Sequence, residues 1–394
     1  MDSAVVATDT DAADPHPRDV RRRIRRRSVI ALAGVVLIAA AWGTVHVIAS
    51  RAFDDAAATA VAAERRAEAA IEALGSEIDE AARSVDTAGV VGEASASAED
   101  LVDGNARAGL ATAADATAGV VGQATQTLEE SPDAPDTRKP LWTWELLAAA
   151  PRLSHDSAAL EAYTEALDTA ETELAASTAG LQDSALTLYA SVPAQAAALE
   201  ATNLSARAVV LLDLREAART AAAQTTLGSG AEIAFTAYAT AAASLKTSQQ
   251  AELAEKGGPL LATRLAIEEY ARSIAGGVVL DFDWAPIVNG LGGSAGMAGT
   301  ATWNTVRGGF STITLSNSVA QNWPSADAKA LVAHEVGHAI TSKCSDMFDS
   351  SDRDANEAWA TAWAISMGHS ALGSGVQAYG YPPASLIETA ATCR

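Results

Sequence analysis

The sequence predicts an α+β protein built as an N-terminal transmembrane helix, a long alanine-rich helical stalk and bundle, and a small C-terminal α+β domain. Three observations predict this. Ser28–Ala49 carries no formal charge; the 94 alanines, nearly a quarter of the 394 residues, concentrate between Arg51 and Ala275; and five of the eight tryptophans fall after Gly276, where glycine, threonine and β-branched residues also rise. Alanine supplies helix propensity but little volume for a core, whereas tryptophan supplies much.

Residues 28–49 form a 22-residue apolar run. At ~1.5 Å per residue this covers the ~30 Å hydrocarbon layer of a bilayer. Arg21, Arg22, Arg23, Arg25, Arg26 and Arg27 precede it, and Asp54 and Asp55 follow. The positive-inside rule therefore places residues 1–27 in the cytoplasm and everything beyond the helix outside the cell membrane. A cleaved signal is the poorer reading, because the run exceeds ~7–15 residues and SRAFDD after Ala49 is a weak cleavage site. Trp42 and His46, near the outer end, read as interfacial.

The first 27 residues carry a net charge of +2, leaving −24 of the total −22 for the remainder. Without a basic block beyond the anchor, nucleic acid is excluded as a partner, since its binding rests on neutralising phosphates. The only cysteines, Cys344 and Cys393, are too few for a disulfide scaffold and are predicted to form one bridge outside the cytoplasm.

Residues 52–130 read as a helical stalk. Ile71, Leu74, Ile78, Ala81 and Val85 alternate at spacings of three and four, a short coiled-coil pattern that supports weak self-association. TAGVVG occurs at Thr87–Gly92 and again at Thr117–Gly122, and its glycines are expected to mark a helix break or a close helix contact. Three prolines within residues 131–140 define a linker. Residues 141–275 follow as a bundle, with helices expected near 141–150, 157–189, 193–226, 231–255 and 259–274.

In residues 276–394, VVLDFDW (Val278–Trp284) and FSTITLS (Phe310–Ser316) read as strands. The segment Pro324-Ser325-Ala326-Asp327 then signals a helix start, and Val332, Val336 and Ile340 form an apolar ridge along it. His334-Glu335-Val336-Gly337-His338 lies on the same helix. Histidines four apart share a helical face, so both imidazoles can reach one zinc ion, and Glu335 is placed to accept a proton from an attacking water.

A catalytic zinc site needs a third protein ligand. Thr341 and Cys344 stand where a metzincin would have Gly and His, so that pattern fails. Cys344 as a thiolate competes with its pairing to Cys393. Glu357, 19 residues after His338 and flanked by Trp359 and Trp363 on an expected second helix, is the stronger candidate.

VAHEVGH (Val332–His338) followed by NEAWA (Asn356–Ala360) resembles the gluzincin metallopeptidases, over about the last 120 residues. The resemblance implies a compact zincin fold in which His334, His338 and Glu357 bind zinc and Glu335 is the general base. It further implies an edge strand beside the substrate, placed at Phe310–Ser316 with Ile313, Thr314 and Leu315 as contacts. Many gluzincins carry Asp four residues after the ligand glutamate to orient the first histidine. Thr361 stands there instead, so that bond must come from a hydroxyl or from elsewhere. Tyr379, Tyr381 and His369 follow as candidate oxyanion donors, with Tyr381 ranked first.

The expectation is a single-pass membrane zinc peptidase acting on extracytoplasmic proteins or peptides. The alternative is a non-catalytic envelope adaptor, with a partner-binding stalk and an inactive zincin fold.

Overall fold

The computed structural model describes residues 17–97 and 100–394, with side chains from residue 32 onward. Residues 1–16 of the expected cytoplasmic tail, and the side chains of Arg21–Arg27, lie outside the described residues. The described chain is mostly helical, with a small three-stranded sheet on its C-terminal side.

Six helices come first: α1 (Pro17–Ala96), α2 (Gly104–Glu129), α3 (Thr143–Thr202), α4 (Ala208–Ala222), α5 (Ser229–Glu255) and α6 (Leu261–Ile274). Strands β1 (Val279–Ala285), β2 (Gly299–Asn304) and β3 (Phe310–Ser316) follow. The chain ends with α7 (Asn317–Asn322), α8 (Ala326–Ala339), α9 (Thr341–Cys344), α10 (Arg353–Ser366), α11 (Val376–Tyr379) and α12 (Ala384–Ala390). From Leu32, α1 is long and apolar enough to span a membrane, with a mean hydropathy of 2.0 in its most apolar window. Leu32, Val35, Val36, Leu37 and Ile38 are exposed along this stretch.

The expected interruptions near Pro151 and Pro193 are absent, and α3 runs through both prolines. Its buried side chains give the reason: Leu146, Leu153, Leu160, Leu167, Leu174, Leu181 and Leu188 recur every seventh residue. A helix-interior proline costs about 3 kcal/mol, and burying a single leucine recovers ~1.5–3 kcal/mol. In α1, Phe53, Ala60, Ala67, Leu74, Ala81 and Ala88 keep the same spacing and are also buried. The TAGVVG copies interrupt neither α1 nor α2. A Cβ at Gly89, Gly92, Gly119 or Gly122 would meet nothing within 4 Å, so these glycines mark neither a break nor a close contact.

The described residues divide into two compact units, 17–80 with 120–175, and 81–97 and 100–119 with 176–394. In the first, Ala49, Phe53 and Ala60 of α1 share a buried cluster with Leu146 and Leu153 of α3. Ion pairs from Arg66 to Glu161 at 3.1 Å and from Lys139 to Asp54 at 2.7 Å flank this packing.

In the second unit the sheet order is β1-β3-β2, with β1 parallel and β2 antiparallel to β3. This corrects the expectation that Phe310–Ser316 is the edge strand. GTATWN (Gly299–Asn304) forms an additional strand that pairs along β3, which becomes central, and Ile313 and Leu315 point into the core with no exposure. Ile313, Thr314 and Leu315 therefore lie on the central strand, and β1 and β2 are the edges of the sheet.

The sheet, α8 and α10 share a core that includes Phe282, Val332, Val336, Trp359 and Trp363. Ile267, Ala271 and Ala275 at the end of α6 enter the same core, so packing continues across the composition change at Gly276. Beside it lies a buried ion cluster in which Glu268 meets Lys256 at 3.1 Å, Arg272 at 3.2 Å and the Trp284 indole N–H at 3.1 Å.

Candidate metal centre

Helix α8 starts where the Ser325 hydroxyl accepts the Ala328 N–H, and α10 where the Asp352 carboxylate accepts the Ala355 N–H. These caps satisfy N–H groups that the first turn leaves without partners. The two helices meet at Gly337, where a Cβ would stand 2.8 Å from the Ala360 Cα and carbonyl oxygen. The glycine between the two histidines thus lets α10 approach closely enough for Glu357 to reach them.

His334 Nε2 lies 3.2 Å, and His338 Nε2 3.3 Å, from the same Glu357 oxygen, Oε2. Both histidines are buried and Glu357 is half-buried. The Nδ1–H of His334 donates to the Ser374 carbonyl at 2.9 Å, which turns the Nε2 edge of the ring toward Glu357. Neighbouring donors around a tetrahedral ion with bonds of ~2.0–2.1 Å stand ~3.3–3.4 Å apart, close to the two separations found here. All three donor atoms lie within 4.8 Å of one another, so His334, His338 and Glu357 could hold a metal ion.

Glu335 is buried beside them, and its Oε2 has no hydrogen-bond partner. Burial pushes its carboxyl above the ordinary range, and Glu357 adds to the shift against the two histidines. For Glu357 burial acts upward too, but hydrogen bonds from both histidines outweigh it and hold the carboxyl well below its usual value. A Cβ at Gly299 of β2 would fall 2.6 Å from Glu335 Cγ, so the edge strand passes directly against this carboxylate.

A cleft of about 300 Å³ opens onto these groups. Thr300 and Trp303 of β2 form one side, while Arg353, Asn356 and Tyr379 also line it. The Tyr379 ring lies nearly parallel to that of His334, with centroids 5.9 Å apart. Burial raises the Tyr379 hydroxyl above its ordinary pKa, with the Glu357 charge adding to the shift.

Of the three candidate oxyanion donors only Tyr379 lines the cleft. Tyr381 is 69% exposed and outside the lining, and His369 is engaged with the Tyr270 hydroxyl at 2.6 Å. Cys344 is joined to Cys393 in a disulfide and stands outside the donor group. The sequence does not announce Ser374, whose contribution is a backbone carbonyl, and it marks β2 only by a short alternation of Ala301 and Trp303 with Thr300, Thr302 and Asn304. Thr361 does stand near His334 Nδ1, at 3.4 Å, but its hydroxyl donates to the Glu357 carbonyl at 2.8 Å. The orienting acceptor for the first histidine is the Ser374 carbonyl. No family profile, characterised protein or solved structure matches this chain.

Proposed function

We propose that the chain is a membrane-anchored, zinc-dependent peptidase of gluzincin type, cleaving extracytoplasmic proteins or peptides. The observation that carries this reading is the convergence of His334 Nε2 and His338 Nε2 on one Glu357 oxygen, with the buried Glu335 carboxylate alongside. Two imidazoles and one carboxylate suit zinc and leave a fourth position for substrate or water. Zinc bound there would supply Lewis acidity, polarising the scissile carbonyl and easing deprotonation of water.

The residues of the chain do the rest. Glu335, with one oxygen free of partners, takes the proton of the attacking water and delivers it to the leaving amine. The open edge of β2 pairs with the backbone of an extended peptide, which favours sequence-tolerant binding. Tyr379 is the cleft's phenolic donor and takes the oxyanion role in place of Tyr381. Helix α1 is the anchor, with the N-terminus in the cytoplasm.

The test is elemental analysis and peptide hydrolysis on the detergent-solubilised full chain and its Glu335→Gln variant. The expected result is one zinc per chain in both and hydrolysis only in the parent. Hydrolysis undiminished in the variant would overturn the mechanism, and absence of bound metal from the parent would favour a non-catalytic envelope adaptor.

A further inference from the structure

Four large apolar side chains at the start of α3 face solvent: Leu141 is 85% exposed, and Trp142, Trp144 and Leu147 are each more than half exposed. The two indoles stack, with centroids 5.0 Å apart and planes inclined by 10°, into one aromatic plate. Scattered exposed apolar residues are ordinary, but a contiguous group of this kind marks a contact surface.

Its position along α1 identifies the contact. His46 Nδ1 meets the Thr143 hydroxyl at 3.0 Å, which sets the plate level with His46. Lys139 pairs with Asp54, eight residues further along α1 and so about 12 Å beyond His46. The connector thus comes back along α1 from the level of Asp54 to that of His46 and turns there. Helix α3 then runs in the same direction as α1, as Leu146 and Leu153 packing with Ala49, Phe53 and Ala60, and Glu161 pairing with Arg66, require. A span starting at Ser28 and crossing in ~20 residues ends near Ile48, within a turn of His46. Trp42, also exposed, stands one turn deeper.

We propose that Leu141, Trp142, Trp144 and Leu147 form a second membrane contact, inserted into the outer interface of the bilayer that α1 spans. This rests on the reading of α1 as a transmembrane helix. Indole rings favour the headgroup level, where an apolar body and a polar N–H are both accommodated. The charges nearby include Glu145, Asp54 and Asp55 as well as Arg51 and the already paired Lys139, so the contact is apolar and needs no anionic lipid.

Spin labels test this in the full chain reconstituted into phosphatidylcholine nanodiscs, at Trp142→Cys, at Ile38→Cys within the span, and at His155→Cys further along the exposed face of α3. Relaxation by oxygen, which concentrates in lipid, is compared with relaxation by a water-soluble nickel chelate. Positions 142 and 38 should be relaxed more by oxygen, and position 155 more by the chelate. A label at 142 as chelate-accessible as that at 155, with 38 still lipid-exposed, would overturn the second contact alone. Shielding of 142 from both reagents would overturn it in favour of a second copy of the chain. Chelate access at 38 would overturn the transmembrane reading beneath it.

Discussion

The Nδ1–H of His334 donates to the carbonyl oxygen of Ser374 at 2.9 Å, and this bond aims the ring at Glu357. The carbonyl is held in place by Gly375, whose φ of +95° lies in the left-handed region. A Cβ at Gly375 would stand 2.8 Å from His334 Nδ1 and Cε1, and closer still to the Thr361 hydroxyl. Gly375→Ala is therefore expected to turn the ring and lower metal affinity ~10–100-fold, measured by competition with a chromophoric chelator. Thr361→Val, which removes only the more distant hydroxyl, should change affinity far less. Equal losses in the two variants would assign the orienting role to Thr361.

A pH effect is expected away from this centre. Asp281 on β1 is buried, and its carboxyl is pushed up from 3.8 to about 6, chiefly by loss of solvation, although it accepts the Ala208 N–H and lies near Arg207. Between pH ~4 and ~6 the folded chain then keeps a proton that the unfolded chain has released, so stability falls as pH rises through that window. The size is bounded at about 3 kcal/mol, two pKa units at ~1.36 kcal/mol each. Asp281→Asn keeps an acceptor for Ala208 without the charge. The parent-minus-variant difference in denaturant midpoint should be smallest near pH 4 and should favour the variant increasingly up to pH ~6.5. A difference independent of pH would exclude this origin.

How much of this was legible in the sequence depends on the range of the interaction. His334 and His338 are set by one turn of helix, and Glu357 stood out among large apolar neighbours, so these residues could be named from local pattern. Strand β2 was not legible, because GTATWN is short and glycine-led, and its pairing with β3 depends on residues a dozen positions away. Without it Phe310–Ser316 reads as an edge strand, whereas Ile313 and Leu315 are buried on the central one. The interruptions expected between 150 and 157 and between 189 and 193 do not occur for a different reason: the leucines recurring every seventh residue from Leu146 to Leu188 form one buried stripe, which carries the helix through Pro151 and Pro193. The roles of Ser374 and Gly375 rest on backbone geometry, which no residue type announces.

The buried ion cluster yields a stability prediction. Lys256 and Glu268 are almost completely excluded from solvent, and Glu268 also serves Arg272 and the Trp284 indole. Removing one partner of a buried pair strands the other charge, at a cost of about 3–5 kcal/mol. Lys256 would retain only Glu252 at 3.6 Å. Glu268→Ala should therefore be strongly destabilising, measured by chemical denaturation followed through tryptophan fluorescence. Glu268→Gln, which keeps an acceptor for Trp284, should recover part of the loss. A change below about 1 kcal/mol in the alanine variant would mean that the site rehydrates, as an exposed pair does.

The disulfide from Cys344 to Cys393 closes a loop of 49 residues that contains α10 and Glu357. Chain entropy alone assigns such a loop about 4 kcal/mol, through restriction of the unfolded state. The native contacts around Cys393 do not need the bond: its carbonyl accepts the Trp363 indole N–H at 3.0 Å, and Ala390 packs in the same core. The double variant Cys344→Ser, Cys393→Ser should thus lose about this much stability while still binding metal with unchanged stoichiometry at saturation, because His334, His338 and Glu357 stay held by α8 and α10. Denaturant titration and elemental analysis of the same preparation separate the two effects. Loss of metal from the folded variant would show that the bridge positions Glu357 directly.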